Sequence, residues 1–117
     1  MIMIQRRERE QNGPTQFVPG DLVHHRRYGY RGVVVEADQT CQASEAWYQN
    51  NQRQPDRKQP WYHVLVDQSA HVTYAAEENL ELDDELTEIL HPLTEHFFYG
   101  FLAGAYQRND RPWGSTT

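Results

Sequence analysis

Two short stretches constrain the fold more than anything else in this chain: residues 20–35 and residues 60–67. The first runs from Gly20-Asp21-Leu22-Val23 through His24-His25-Arg26-Arg27-Tyr28-Gly29-Tyr30-Arg31 into Gly32-Val33-Val34-Val35. It reads as a strand, a tight glycine-flanked turn and a second strand. The second, Pro60-Trp61-Tyr62-His63-Val64-Leu65-Val66-Asp67, is a strand opened by a proline and an aromatic pair. Consecutive β-branched valines lose side-chain freedom in a helix and pack well on a pleated surface. Short strands of this kind build small antiparallel barrels, which serve as binding platforms more often than as catalytic sites.

The rest of the domain follows the same pattern. Phe17 to Asp21 forms an opening turn. Residues 38–60 are polar and too long to be a bare connection in a compact domain. Within them Ala43-Ser44-Glu45-Ala46-Trp47-Tyr48 suits a short helix anchored by its two aromatic residues. Asp67 to Ala70 is a turn, His71 to Ala75 its partner strand, and Glu77 to Leu82 a turn with a short last strand. The expected organisation is a disordered arm over residues 1–16, a barrel over 17–82 and a C-terminal extension over 83–117. Because the strands end at Leu82, a piece ending at Asp83 is expected to fold without the tail.

Beyond Asp83 the pattern changes. Leu86, Ile89, Leu90 and Leu93 recur at helical spacing, and Pro92 ends or bends that helix. Phe97, Phe98, Phe101, Leu102 and Ala105 repeat with a helical period, with Gly100 and Gly104 on an adjacent strip. A second helix is therefore expected, its phenylalanines buried against the barrel or against another copy of the chain.

Charge bears on the choice of partner. The formal net charge is −6, divided as +1, −3 and −4 over residues 1–16, 17–82 and 83–117. A nucleic-acid-binding domain ordinarily carries a broad basic face. Here the positive excess is local, at Arg26, Arg27 and Arg31 around the first turn, so binding to a polyanion is expected to be weak and salt-sensitive. The rings of His25, Tyr28 and Tyr30 stand among these cations and suit stacking on a base or sugar.

Neither catalysis nor a cofactor is indicated. Cys41 lies in a polar loop with no recognisable base beside it, and the histidines show no ligand spacing of mechanistic meaning, so no metal site is expected. One cysteine suits a reducing compartment, and no apolar run reaches the roughly 20 residues that span a bilayer, which reads as a cytoplasmic chain without a membrane contact. An alternative to nucleic acid is a peptide- or protein-binding surface made of Trp61, Tyr62 and Tyr74 at the barrel rim, with Phe98 and Phe101 from the tail.

Residues 17–82 resemble the small family of hemimethylated DNA-binding, YccV-like proteins, also known as heat shock protein HspQ. The residues carrying the resemblance are Phe17, Gly20, Val23, His25, Gly29-Tyr30 and Gly32-Val33-Val34-Val35, then Pro60-Trp61-Tyr62-His63-Val64, Thr73-Tyr74, Ala76-Glu77 and Leu80. The resemblance implies an SH3-like barrel, a stress-linked cytoplasmic role, a preference for hemimethylated DNA and a link to ATP-dependent proteolysis. A mechanism on DNA would need Arg26, Arg27 and Arg31 on phosphates and an aromatic pocket reading an N6-methyladenine against an unmodified adenine. The alternative the resemblance implies is an adaptor that modulates an ATP-dependent protease or chaperone.

Overall fold

Val33, Val34 and Val35 are consecutive and all buried. Neighbouring side chains in a strand point to opposite faces, so both faces of the sheet that holds them must be covered. The computed structural model describes residues 15–114 and shows how. The arm expected over residues 1–16 lies outside the described residues except for Thr15 and Gln16.

The elements in order are β1 (Leu22–His25), β2 (Arg31–Asp38), α1 (Glu45–Asn50), β3 (Trp61–Val66), β4 (Val72–Ala76), a 3-10 turn (Glu77–Asn79), β5 (Leu80–Leu82), α2 (Thr94–Phe97), β6 (Phe98–Leu102) and β7 (Ala105–Arg108). Five strands form one antiparallel sheet in the order β4-β3-β2-β1-β5, while β6 and β7 form a separate hairpin. One face carries Val23, Val34, Tyr62, Val64, Ala75 and Leu80, closed by Phe17. The other carries Leu22, Val33, Val35 and Leu65, covered by Ile89, Phe97, Phe98 and Tyr106.

The closed barrel expected from the sequence is corrected to an open, curled sheet. β4 and β5 occupy opposite edges, four strand spacings apart, which would be about 19 Å in a flat sheet. Yet only the 3-10 turn joins Ala76 to Leu80, a path of about 8 Å at the usual rise. The sheet must therefore curl until its edges approach at that end. No ladder joins β4 to β5 among the described residues; β5 pairs with β1 alone, with Val23 opposite Leu82 and His25 opposite Leu80.

Two glycines allow close backbone approaches. A Cβ on Gly32 would lie 2.3 Å from the Leu65 carbonyl oxygen, so β2 and β3 can approach here only without a side chain. Gly20, at φ +103°, would place one 2.2 Å from the Tyr106 carbonyl oxygen, where the C-terminal hairpin meets the opening turn. A bulge between Val34 and Glu36 bends β2. Arg108 of β7 donates from Nε to the Val35 carbonyl at 2.8 Å, satisfying the residue the bulge leaves out of the ladder.

Both C-terminal helices expected from the sequence are also corrected. Residues 84–93 run as an irregular strap, with Leu86 at φ +56°. Only Ile89 of its apolar period is buried, while Leu86 and Leu90 face outward. The backbone groups a helix would use are taken by other partners. Ile89 N donates to the Tyr106 hydroxyl, Leu90 N to Asp67 Oδ1, and Gln68 N to the Leu90 carbonyl. Helix α2 is a single turn, and the phenylalanine-rich stretch after it is the β6–β7 hairpin. Ala103 and Gly104, at φ +55° and +82°, form its two-residue turn, so Gly104 serves the turn rather than a helix seam. Phe97, at the end of α2, and Phe98, at the start of β6, are buried across the sheet and Phe101 is half-buried, so the expected docking is made without a continuous helix.

Candidate nucleic-acid interface

The β1–β2 turn is built around one imidazole. His25 N donates to the Tyr30 carbonyl and Gly29 N to the His25 carbonyl, with Gly29 at φ +81°. The His25 ring closes the turn from inside: its Nδ1 accepts from the backbone N–H groups of Arg27 (3.1 Å) and Tyr28 (3.0 Å). A nitrogen that accepts twice carries no proton, so the ring is neutral with its hydrogen on Nε2. Burial is the main cause that lowers the His25 pKa, with the charges of Arg27 and His24 adding to it. Tyr28 stacks on this ring at 4.7 Å and Tyr30 leans on it at 5.0 Å. The Tyr30 hydroxyl shares a 2.6 Å hydrogen bond with Thr73 of β4. The turn thus holds its rings in place and projects Arg26, Arg27 and Tyr28 into solvent. Glu81 sits beside it, 3.3 Å from Arg26 and 3.1 Å from His24, and partly offsets the positive charge.

Facing the turn is the end of the long polar loop. Ser44 caps α1 by accepting from Trp47 N. The Tyr48 hydroxyl donates to the Pro55 carbonyl at 2.7 Å, and Arg57 lies over the Tyr48 ring at 4.8 Å while donating to the Ala43 carbonyl. Trp61 Nε1 donates to the Asp56 carbonyl. These bonds fasten residues 50–55 as a second wall, and between the walls lies a groove of about 340 Å³. Its floor includes Trp61, Tyr74, Ala75 and Ala76; Asn50, Gln52, Asn79, Arg27 and Arg53 supply polar groups. The groove continues past Arg27 and Arg53 into a shallower depression beside Glu78.

Of the residues singled out from sequence, His25, Arg27, Tyr28, Tyr30, Trp61 and Tyr74 converge on this groove, while Arg26 does not line it and pairs with Glu81 on the same turn's exposed side. Arg31 does not. Its side chain is 14% exposed and spans Asp83 (3.0 Å) and Asp67 (3.3 Å), with further bonds to the carbonyls of Thr87 and Glu88. Burial would lower its pKa, but the bonds and charges of Asp83 and Asp67 raise it. This arginine fastens the strap to the sheet. Tyr62 is fully buried, donating to Glu77 Oε1 and accepting from Phe17 N. Phe98 is buried and Phe101 half-buried against the opposite face of the sheet, so they form no shared outer face with Trp61 and Tyr74. Sequence reading missed Arg53, Gln52 and Asn79. The signal for the first two was the length of the polar loop.

A second cluster lies on β3 and β4. His63 stacks on Tyr74 at 4.3 Å, and both approach Asp38, the Tyr74 hydroxyl donating to its Oδ2 at 2.6 Å. Burial raises the Tyr74 pKa, reinforced by Asp38. Burial likewise lowers the pKa of His63, outweighing the pull of Asp38 and Glu36, and that of His91, whose Nε2 bonds the His71 carbonyl. Among the described residues no three His, Cys, Asp or Glu side chains gather as a metal-ligand set, and no helix is long and apolar enough to cross a membrane.

These three histidines set a pH dependence. Each is harder to protonate folded than unfolded, so the unfolded chain takes up protons first as pH falls below about 6.5. Their effect on stability is therefore fully favourable above that pH and is lost progressively as the pH drops toward the folded pKa values. The urea midpoint is expected to be level from pH 8 to 7 and to fall between pH 6.5 and 5. A midpoint that stays level to pH 5 would refute the buried neutral imidazoles.

Comparison with known proteins bears on what this groove meets. The chain is 32% identical over 111 residues to F-box only protein 21 of Mus musculus and to that of Homo sapiens, which covers 92% of this chain. It spans only 18% of the length of those relatives. Residues 15–105 match the family described as hemimethylated DNA-binding protein YccV like, a stretch that takes in both walls and the floor of the groove and the strap behind it. The chain belongs to the YccV-like family of hemimethylated DNA-binding proteins.

Proposed function

We propose that this chain binds duplex DNA without catalysing a reaction, through the β1–β2 turn and the groove beside it. Arg26, Arg27 and Arg53 contact backbone phosphates, and the Tyr28–His25 stack and the groove meet a base. The observation that carries this reading is the groove itself: within a family named for DNA binding, two arginines without a side-chain partner among the described residues, Arg27 and Arg53, flank an aromatic floor. Phosphate contacts fix position and base contacts supply discrimination. Arg31, engaged with Asp67 and Asp83, has no part in the set.

Affinity in this reading is modest. The chain carries a net charge of −6, and Glu81 competes with phosphate for Arg26. The methyl group that distinguishes the hemimethylated state contributes about 1 kcal/mol when buried, or roughly fivefold in affinity. The protease-adaptor alternative draws no support from its proposed residues as a set: Tyr62 and Phe98 are interior, Phe101 is half-buried on the opposite face, and Trp61 and Tyr74 belong to the groove.

The test is binding of fluorescent duplexes, unmethylated, hemimethylated and fully methylated, at several salt concentrations. For R27A/R53A the dependence of log K on log[salt] is expected to flatten by about two units, one for each phosphate contact removed. A parental slope in that variant would overturn the assignment of the groove.

A further inference from the structure

We infer that the groove receives a single adenine-type base swung out of the duplex, so that its methylation is read on an unstacked base and not along the helical groove. This rests on the DNA-binding reading above and adds how the base is reached.

The shape gives the first argument. In an intact duplex the base edges lie at the bottom of a groove about 8.5 Å deep, and a protein reads them with a projecting helix or ribbon. Here the relation is inverted. The floor residues Trp61, Ala75 and Ala76 are recessed between two walls that protrude, the turn at residues 26–30 and the loop at 50–55. A convex duplex surface meets only the walls. A nucleotide rotated out of the stack can enter, and about 340 Å³ is within the size range of small-molecule sites.

The lining gives the second. Tyr28, 60% exposed and backed by the His25 ring at 4.7 Å, offers a supported face on which an unstacked base can lie. The side-chain amides of Gln52 and Asn79 have no hydrogen-bond partner among the described residues and reach the groove from opposite sides in sequence. An amide presents an acceptor beside a donor, matching the N6–H of adenine and the ring nitrogen next to it. An N6-methyl group leaves one N6–H for that pairing, and Pro55, Ala75 and Ala76 provide apolar neighbours for the methyl. Arg27 and Arg53 at the mouth line both the groove and the depression that continues it, where the phosphates flanking an extruded nucleotide would pass.

The experiment uses the full chain and hemimethylated duplexes carrying 2-aminopurine immediately 3′ to the N6-methyladenine. Binding is followed separately by anisotropy of an end label. At saturation the 2-aminopurine fluorescence is expected to rise several-fold as its stacking partner leaves. A duplex with an abasic site opposite the methyladenine is expected to bind about tenfold tighter, because unpairing has already occurred. In Q52A/N79A both effects are expected to disappear while salt-dependent binding remains. Binding by anisotropy with unchanged fluorescence and no gain from the abasic site would overturn the extruded base and leave the DNA-binding reading standing. No binding to any duplex at low salt would overturn both.

Discussion

A fragment ending at Asp83 is expected to be unfolded, although it contains all five strands of the sheet. Removing residues 84–117 strips Ile89, Phe97, Phe98 and Tyr106 from the face made by Leu22, Val33, Val35 and Leu65. Each of those four side chains contributes about 1.5–3 kcal/mol when taken out of water, together about 6–12 kcal/mol. The whole stability of a domain of this size is about 5–15 kcal/mol, so the loss is comparable with what is available. The cut also removes polar anchors. Gly20 loses the bond its carbonyl accepts from Tyr106 N, and Val35 loses the guanidinium of Arg108. Circular dichroism and a urea titration decide the matter: a featureless, non-cooperative titration is expected, whereas a cooperative transition in the fragment would show that the sheet stands alone. In the full chain, Phe97→Ala alone is expected to cost about 3–5 kcal/mol, as a large buried aromatic replaced by a cavity does.

This expectation reverses the one drawn from sequence, and the reason is instructive. The strands themselves were legible because their signals are local. Val33-Val34-Val35, the Trp61–Val66 run and Gly29 in the turn each state their conformation within a few residues. The ending at Leu82 was legible too. What a sequence does not state is which face of a strand is already covered. Three successive buried valines require a second layer on the sheet, but their β-branched run states only a strand, and their burial on both faces appears in the fold.

The tail was misread for a physical reason. Leu86, Ile89, Leu90 and Leu93 do keep a helical period, but Asp67 and Tyr106, remote in sequence, bind the backbone donors of Leu90 and Ile89. Tertiary bonding overrode the local pattern. In residues 97–105 the helical spacing competes with the strand preference of aromatic residues, and the Ala103-Gly104 turn carries no local signal because Ala rarely accepts a positive φ. The candidate interface is half legible. Its cationic, aromatic wall is continuous in sequence from His25 to Tyr30. The opposite wall comes from a loop some two dozen residues downstream, and Asn79 from a third segment, so only the fold brings them together.

Arg31 separates a structural cation from a binding one, and its replacement is expected to have the second large effect. Its guanidinium lies on Asp83 and Asp67, whose side chains are 7% and 10% exposed, and it reaches the carbonyls of Thr87 and Glu88. Removing one partner of a buried ion pair leaves uncompensated charge in a poorly solvated place, a loss of about 3–5 kcal/mol. Arg31→Ala is therefore expected to lower the unfolding midpoint severely, and to loosen the strap on which Ile89 and Leu90 depend. Arg31→Lys is expected to recover little, because an ammonium cannot span two carboxylates and two carbonyls with a planar fork. The informative comparison is with DNA. In the fraction that remains folded at low temperature, the salt dependence of binding for Arg31→Ala is expected to match the parent, while R27A/R53A changes that slope and leaves stability close to the parental value. If Arg31→Ala instead flattened the salt dependence by about one unit without loss of stability, its guanidinium would be a phosphate contact after all. The clamp between sheet and strap would then have to be sought elsewhere.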